Sequence, residues 1–138
     1  MSRRLAREAA MCLLFEYAVI GEVNQETLEI MKDVFETDKL KDQNRTYIGQ
    51  VMEQIVVHQE EIDDKIEQYS HDWKINRLSK VDLSILRLAI LEIFYFDDIP
   101  IRVSVNEAVE LAKKYSSEKS PKFINGLLGA LLKEIPEV

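Results

Sequence analysis

Residues 79–96, SKVDLSILRLAILEIFYF, contain the most apolar segment of the chain and decide its fold. Ser79 stands three residues before Asp82, a spacing that is typical of a capped helix start. From residue 83 onwards the apolar side chains cover nearly the whole circumference of a helix, which indicates the central, most buried element of a helical protein. The segment carries Arg87 and Glu92 and is too short to span a bilayer.

The sequence before this segment predicts three helices. Apolar residues recur at helical spacing over residues 3–20, and Gly21 is expected to end that helix in the left-handed conformation that glycine adopts freely. Asn24 is an N-cap for a second helix, because its side chain can accept from unpaired backbone N–H groups. The second helix would turn three residues inward: Leu28, Met31 and Phe35.

The third predicted helix is long and covers residues 43–69. One row of apolar side chains repeats along it every seven residues: Ile48, Ile55, Ile62 and Tyr69. Packing within the chain is the preferred interpretation of this row, with a free coiled coil as the alternative. The opposite face is expected to be solvated, and it includes four acidic residues: Glu60, Glu61, Asp63 and Asp64.

Two helices are predicted after the central one. Ser104 and Glu107 have the spacing of a capping box, and Ser120 followed by Pro121 is an N-cap with proline in the first helical turn. Two glycines in the last helix indicate the close approach of a neighbouring helix: Gly126 and Gly129. The sequence therefore predicts an all-α protein, a compact bundle of six to seven helices forming one domain over residues 1–138.

Composition argues against catalysis. The 138 residues include one cysteine and two histidines, so neither a disulfide framework nor a metal site is expected. No glycine-rich phosphate loop, nucleophile elbow or paired histidine motif is present in the sequence. We therefore expect a cytoplasmic protein that is not an enzyme and needs no cofactor.

Charge is unevenly distributed along the chain. The formal net charge is −7, and residues 21–98 alone carry nine basic and eighteen acidic side chains. Such a protein repels nucleic acid unless its cations are grouped on one surface. Two groups are present, residues 3–7 and residues 113–122.

The first basic group consists of Arg3, Arg4 and Arg7 at the start of the first predicted helix, on the side opposite its apolar stripe. Positive charge is unfavourable there, because the helix dipole already makes the N-terminus positive. A bound phosphate reverses the sign of this effect. The second group places lysines and serines around the start of the last helix, and the two together are suited to a short single-stranded RNA.

Five stretches, in this order, resemble the NusB family of bacterial transcription antitermination factors: RRLAREAA (residues 3–10), VDLSILRLAI (81–90), DIP (98–100), NEAVELAKK (106–114) and KFING (122–126). The resemblance implies an all-helical fold of two three-helix halves without catalytic activity. It also implies binding to the single-stranded boxA element of ribosomal RNA transcripts, together with the ribosomal protein NusE. RNA polymerase then becomes resistant to premature termination.

The resemblance also assigns candidate residues. It places RNA contacts at Arg3, Arg4, Arg7, Asp82, Arg87, Ser116, Ser117, Lys119, Ser120 and Lys122. It places the partner-binding side around Asp97, Asp98, Ile99 and Arg102.

Several alternatives remain open at this point. The same fold is found in the RNA-binding helical domain of ribosomal RNA cytosine methyltransferases, which would require a cofactor-binding domain downstream. A helical homo-oligomer, such as a homodimer through the third helix, would need no RNA. Asn106 and Asn125 are interpreted as buried amides that bridge the last two helices, with base recognition as the alternative.

Overall fold

The computed structural model describes residues 2–34, 41–71 and 73–135. The helices in these ranges are α1 (Arg3–Ile20), α2 (Gln25–Val34), α3 (Lys41–Tyr69), α4 (Lys80–Tyr95), α5 (Ile101–Tyr115) and α6 (Ser120–Leu132). A short 3-10 turn, Ile75–Arg77, lies between α3 and α4. The described residues contain no strand. The prediction of an all-α protein with six to seven helices is confirmed.

Helix α4 lies at the centre of the bundle. Residues 83–92 are all buried, which follows from the apolar circumference of this helix. It packs against α1, α3, α5 and α6. The first three helices contact one another, as do the last three, and α4 contacts members of both groups.

The local signals at three helix ends are confirmed. The Ser79 hydroxyl accepts a hydrogen bond from the Asp82 backbone N–H at 3.0 Å. Asn24 Oδ1 accepts from the backbone N–H groups of Glu26 and Thr27 at 3.0 and 3.2 Å. Gly21 ends α1 with φ of 92°, in the left-handed region. These short-range patterns were sufficient to locate the ends.

The prediction that Ser104 and Glu107 form a capping box at the start of α5 is wrong. Helix α5 begins three residues earlier, at Ile101, with Pro100 as its N-cap residue. Ser104 is buried within the first turn and donates its hydroxyl to Glu92, while Glu107 accepts from Arg4. Both side chains have a tertiary partner in place of the local one that their spacing suggested.

The start of α6 also differs from the prediction. Its N-cap residue is Lys119, and Ser120 is the first helical residue. The Ser120 hydroxyl does not cap the helix, because it donates to Asp82 Oδ2 at 3.0 Å. Pro121 still lies in the first turn, as predicted.

The apolar row of α3 packs inside the chain. Ile48, Ile55 and Ile62 are each no more than 1% exposed, and Tyr69 is half-buried. This burial favours intramolecular packing over a free coiled coil. In α2, Leu28 is buried and Met31 half-buried as expected, whereas Phe35 lies outside the described residues.

The two glycines of α6 do not mark a close helix contact. Gly126 and Gly129 are exposed, and a Cβ added at either position would have no neighbouring atom within 4 Å. They therefore cost helix stability without a packing gain.

We expect Gly126→Ala and Gly129→Ala each to raise the free energy of unfolding by about 0.5–1 kcal/mol, because alanine favours an exposed helical position. Gly21→Ala should lower it by roughly 1 kcal/mol, because an alanine is strained at φ of 92°. Urea unfolding followed by circular dichroism measures all three variants. Destabilisation by Gly129→Ala would contradict the prediction, because it would mean that the added methyl group clashes with a neighbouring helix.

Candidate nucleic-acid interface

The three arginines at the start of α1 reach three different environments. Arg3 is half-buried, donates from Nε to Asn44 Oδ1 at 3.1 Å, and lies over the Tyr47 ring at 4.4 Å. The Arg4 side chain is 66% exposed, whereas that of Arg7 is only 7% exposed. They do not form the single exposed cluster that the sequence suggested.

Arg7 is held by a buried ion pair with Glu92 of α4. Its Nε donates to Oε2 at 2.8 Å and its Nη2 donates to Oε1 at 3.1 Å. The Tyr47 hydroxyl of α3 donates to the same carboxylate at 2.5 Å, and the Ser104 hydroxyl of α5 donates at 2.7 Å. We call this set the Glu92 network; it joins four helices at one carboxylate.

The Glu92 network raises the pKa of two of its members, Arg7 and Tyr47. Burial disfavours the Arg7 cation, but the hydrogen bonds and negative charge of Glu92 offset this cost and the pKa of Arg7 is raised. Burial also raises the pKa of Tyr47 well above its ordinary value, and the charge of Glu92 adds to the effect. Tyr47 therefore remains a hydrogen-bond donor at neutral pH.

The prediction that Arg7 lies on an exposed RNA-facing surface is wrong. The helical wheel placed it opposite the apolar stripe, but that side of α1 is covered by α4 and α5. Covering a guanidinium is tolerated here because it donates two hydrogen bonds to a carboxylate. Its function in this structure is to hold α1 against the bundle.

The prediction that Arg87 accompanies Asp82 on the surface is also wrong. Arg87 is 4% exposed and forms a two-point ion pair with Asp63 of α3, at 3.0 and 2.8 Å. Its guanidinium lies 5.8 Å from the centre of the Tyr17 ring. Asp63 is therefore not part of a solvated acidic face, and the pair ties α3 to α4.

Asp82 organises the turn between α5 and α6. The Ser116 hydroxyl donates to its Oδ1 at 2.5 Å, and the Ser120 hydroxyl donates to its Oδ2 at 3.0 Å. Ser120 is only 3% exposed, so its hydroxyl faces Asp82 and not solvent. Ser117 is exposed and its hydroxyl lies 2.8 Å from that of Ser120. The carboxylate thus fixes the segment that carries Lys119.

Five cations of the two basic sequence groups are exposed, and we call them the basic surface: Arg4, Lys113, Lys114, Lys119 and Lys122. Contacts between α1 and α5 bring the two sequence groups together, since Arg4 pairs with Glu107 and Lys114 pairs with Glu8. Arg4, Lys113 and Lys122 line one open cavity of about 670 Å³.

Three carboxylates lie within the basic surface and balance part of its charge. Arg4 donates to both oxygens of Glu107 at 3.1 and 2.7 Å, and this hydrogen bonding is the main reason that the pKa of Glu107 is lowered. Lys114 lies 2.5 Å from Glu8, and that hydrogen bond raises the pKa of Lys114. Lys113 lies 3.3 Å from Glu110. Sequence spacing could not reveal the first two of these pairs, because their members are about a hundred residues apart.

Two asparagines lie where the sequence did not place them. Asn106 and Asn125 are exposed and line the same cavity as Arg4, Lys113 and Lys122. The interpretation of both as buried amides that bridge the last two helices is therefore wrong. The positions of these asparagines along their helices could not show whether each side chain would line a cavity or be buried between helices.

The residues assigned to a protein partner lie together at the α4–α5 connection. Asp97, Asp98 and Arg102 are exposed, and Ile99 is buried with 9% exposure. The Ile99 backbone N–H donates to the Phe96 carbonyl, which closes the turn after α4. The segment presents two carboxylates and one guanidinium to solvent.

Within the described residues, no helix combines the length and apolarity needed to cross a bilayer. The same part of the chain contains no group of three or more histidine, cysteine, aspartate or glutamate side chains arranged to hold a metal ion.

The chain is similar to known proteins over nearly its whole length. Residues 4–133 match the model of the NusB family. The transcription antitermination protein NusB of Clostridium botulinum (strain Hall) is 50% identical over 143 residues, which cover 96% of this chain and 100% of that relative. The structure of T. maritima NusB has a TM-score of 0.78 and 36% identity, over 97% of this chain and 92% of that one.

A second solved structure adds a complex to these similarities. It is a crystal structure of the antitermination factors NusB and NusE in complex with double-stranded RNA. The matching chain has a TM-score of 0.74 and 30% identity, over 96% of this chain and 97% of that one.

We expect Glu92→Gln to lower the free energy of unfolding by about 3–5 kcal/mol, because it leaves the buried Arg7 cation without a countercharge. The double variant Arg7→Met with Glu92→Leu should lose less than the sum of its single changes, since no charge is then buried alone. Urea unfolding of the four proteins gives the interaction energy. A loss below about 1 kcal/mol for Glu92→Gln would mean that the pair does not hold α1.

The stability contributed by Glu107 should depend on pH. Its pKa in the folded protein is below the ordinary value of 4.5, so its contribution is complete above pH 4.5 and is lost as the pH falls through the lowered pKa. Wild-type protein should exceed Glu107→Gln in unfolding free energy at neutral pH, and the difference should shrink in acid. Urea unfolding over a pH series measures this difference, and one that stays constant with pH would contradict the assignment.

Proposed function

The chain belongs to the NusB family of transcription antitermination proteins, and from this premise we propose that it binds RNA together with the ribosomal protein NusE. The RNA is the single-stranded boxA-type element of ribosomal RNA operon transcripts. The resulting complex suppresses premature termination by RNA polymerase. Its site of action is the cytoplasm, where transcripts emerge from the polymerase.

One observation carries the RNA-binding part of this proposal. In a protein of net charge −7, Arg4, Lys113 and Lys122 come from two distant sequence segments and line one cavity. Grouping cations in this way gives an acidic protein a local surface that can attract phosphate groups. Lys119 and Lys114 extend the same basic surface along the turn before α6 and along α5.

The carboxylates of the basic surface support a need for the protein partner. Glu107, Glu8 and Glu110 each compete with phosphate for one cation. RNA binding to the chain alone is therefore an exchange of one anion for another, which limits the gain in free energy. Contacts supplied by NusE would add affinity that this surface lacks.

The partner is proposed to dock at the α4–α5 connection. Asp97, Asp98 and Arg102 offer exposed charges there, and Ile99 adds an apolar edge. Both signs of charge at one turn favour a specific protein contact over a nucleic-acid contact, because the carboxylates repel phosphate.

The open alternatives have less support. The C. botulinum antitermination protein is matched over its full length, so the likeness does not depend on a methyltransferase. A homo-oligomer through α3 would need an exposed apolar row, and that row is buried inside the chain. Arg7 and Arg87 leave the proposed contact set as direct phosphate ligands, because both are buried and paired.

We expect tight binding of a fluorescent single-stranded boxA-type RNA only when NusE is present, measured by fluorescence anisotropy across a salt series. Replacing Arg4, Lys113 and Lys122 by alanine should reduce the log–log salt slope by about two, at roughly 0.7 per lost phosphate contact. A control variant removes the same charge elsewhere, at Lys32, Lys65 and Lys74.

An unchanged slope in the first variant, or an equal change in the control, would remove these cations from the interface. A duplex of the same sequence is the second probe, because the related complex contains double-stranded RNA. Tighter binding of the duplex would contradict the proposed single-stranded target.

A further inference from the structure

Two exposed side-chain amides line the cavity between α5 and α6. Asn106 of α5 and Asn125 of α6 both line it, and neither amide has a hydrogen bond to any described residue. Asparagine is a weaker helix former than alanine at an exposed position, so helix stability does not account for either residue. Two free amides on adjacent helices therefore face one solvent-filled space.

An amide is matched to the edge of a nucleobase. It carries a carbonyl acceptor and two N–H donors, and asparagine can contact a base through both at once. Sequence-specific recognition of RNA mostly uses unpaired bases that leave the stack and bind in pockets of this kind. The cavity volume of about 670 Å³ lies within the usual range for small-ligand sites and is sufficient for one nucleotide.

The other side chains of the cavity favour a base inside it and phosphates outside. Glu107 and Glu110 line it and repel a phosphate, but they do not repel a neutral base. Pro121, Val103 and Val109 supply apolar surface for the face of a ring. Lys122 lies one helical turn before Asn125. Arg4 and Lys113 also line the cavity, but each pairs with a carboxylate, whereas Lys122 has no ion pair within the described residues and so binds phosphate without that competition.

We propose that this cavity binds one unpaired base of the RNA and that Asn106 and Asn125 read its edge, while Lys122 binds the adjoining phosphate. The proposal rests on the function proposed above and adds to it a source of sequence discrimination. Because the amides are neutral, their contribution is to specificity and not to the salt dependence of binding.

The first test is fluorescence anisotropy with NusE present, comparing a single-stranded boxA-type RNA with a scrambled strand of the same composition. Asn106→Ala and Asn125→Ala should each reduce the ratio of the two affinities by about five-fold or more, with an unchanged salt slope. Lys122→Ala should do the reverse, lowering the slope by about 0.7 and preserving the ratio. Asn76→Ala is the matched control, since Asn76 is an exposed amide on the 3-10 turn.

The second test replaces each nucleotide of the boxA-type RNA in turn by an abasic one. Wild-type protein should lose affinity at the position whose base enters the cavity, and the Asn106→Ala Asn125→Ala variant should lose little there. If the double variant responds to every abasic position as wild-type does, the amides read no base and the inference is overturned. In that case RNA binding itself would still stand, whereas a wild-type protein that ignores RNA even with NusE would overturn both proposals.

Discussion

The buried ion pair between Arg7 and Glu92 is the interaction on which the arrangement of the other helices depends. A single carboxylate receives hydrogen bonds from a guanidinium of α1, a phenol of α3 and a hydroxyl of α5. Apolar packing alone tolerates small slides between helices, whereas four charge-assisted hydrogen bonds at one point define their register. The surrounding core encloses this ion pair, so removing either Arg7 or Glu92 would leave one buried charge without its partner and lower the stability of the fold.

The basic surface is a consequence of that register. Once Arg7 is held against α4, Arg4 lies one turn earlier on the same helix and meets Glu107 of α5. Asp82 acts similarly at the other end, since it holds the two serines that flank Lys119. The exposed cations therefore occupy positions that buried or half-buried carboxylates determine, and the surface is assembled from segments that are far apart in the chain.

Local patterns predicted most of the fold, and tertiary contacts explain where they failed. Ser79, Asn24 and Gly21 act within a few residues of themselves, so their effects could be predicted from sequence. Ser104 and Glu107 have the same local spacing as a capping box, but their partners are on α4 and α1. The helical wheel placed Arg7 opposite the apolar stripe, whereas Ala10 and Leu14, which share its side of α1, are fully buried. For the candidate interface, sequence predicted that two basic groups would matter, and only the fold shows which of their members reach solvent.

The partners of α1 have a consequence for how the chain is made. Arg7 and Glu92 are separated by 85 positions, and Arg4 and Glu107 by 103. During synthesis α1 leaves the ribosome long before the residues that pair with its arginines and cover its apolar face. Until then that face is exposed to solvent and the arginines lack their carboxylate partners. Closing loops of this length is slow compared with forming a single helix. Native docking of α1 is therefore a late step of co-translational folding, and it is completed only when most of the polypeptide has left the ribosome.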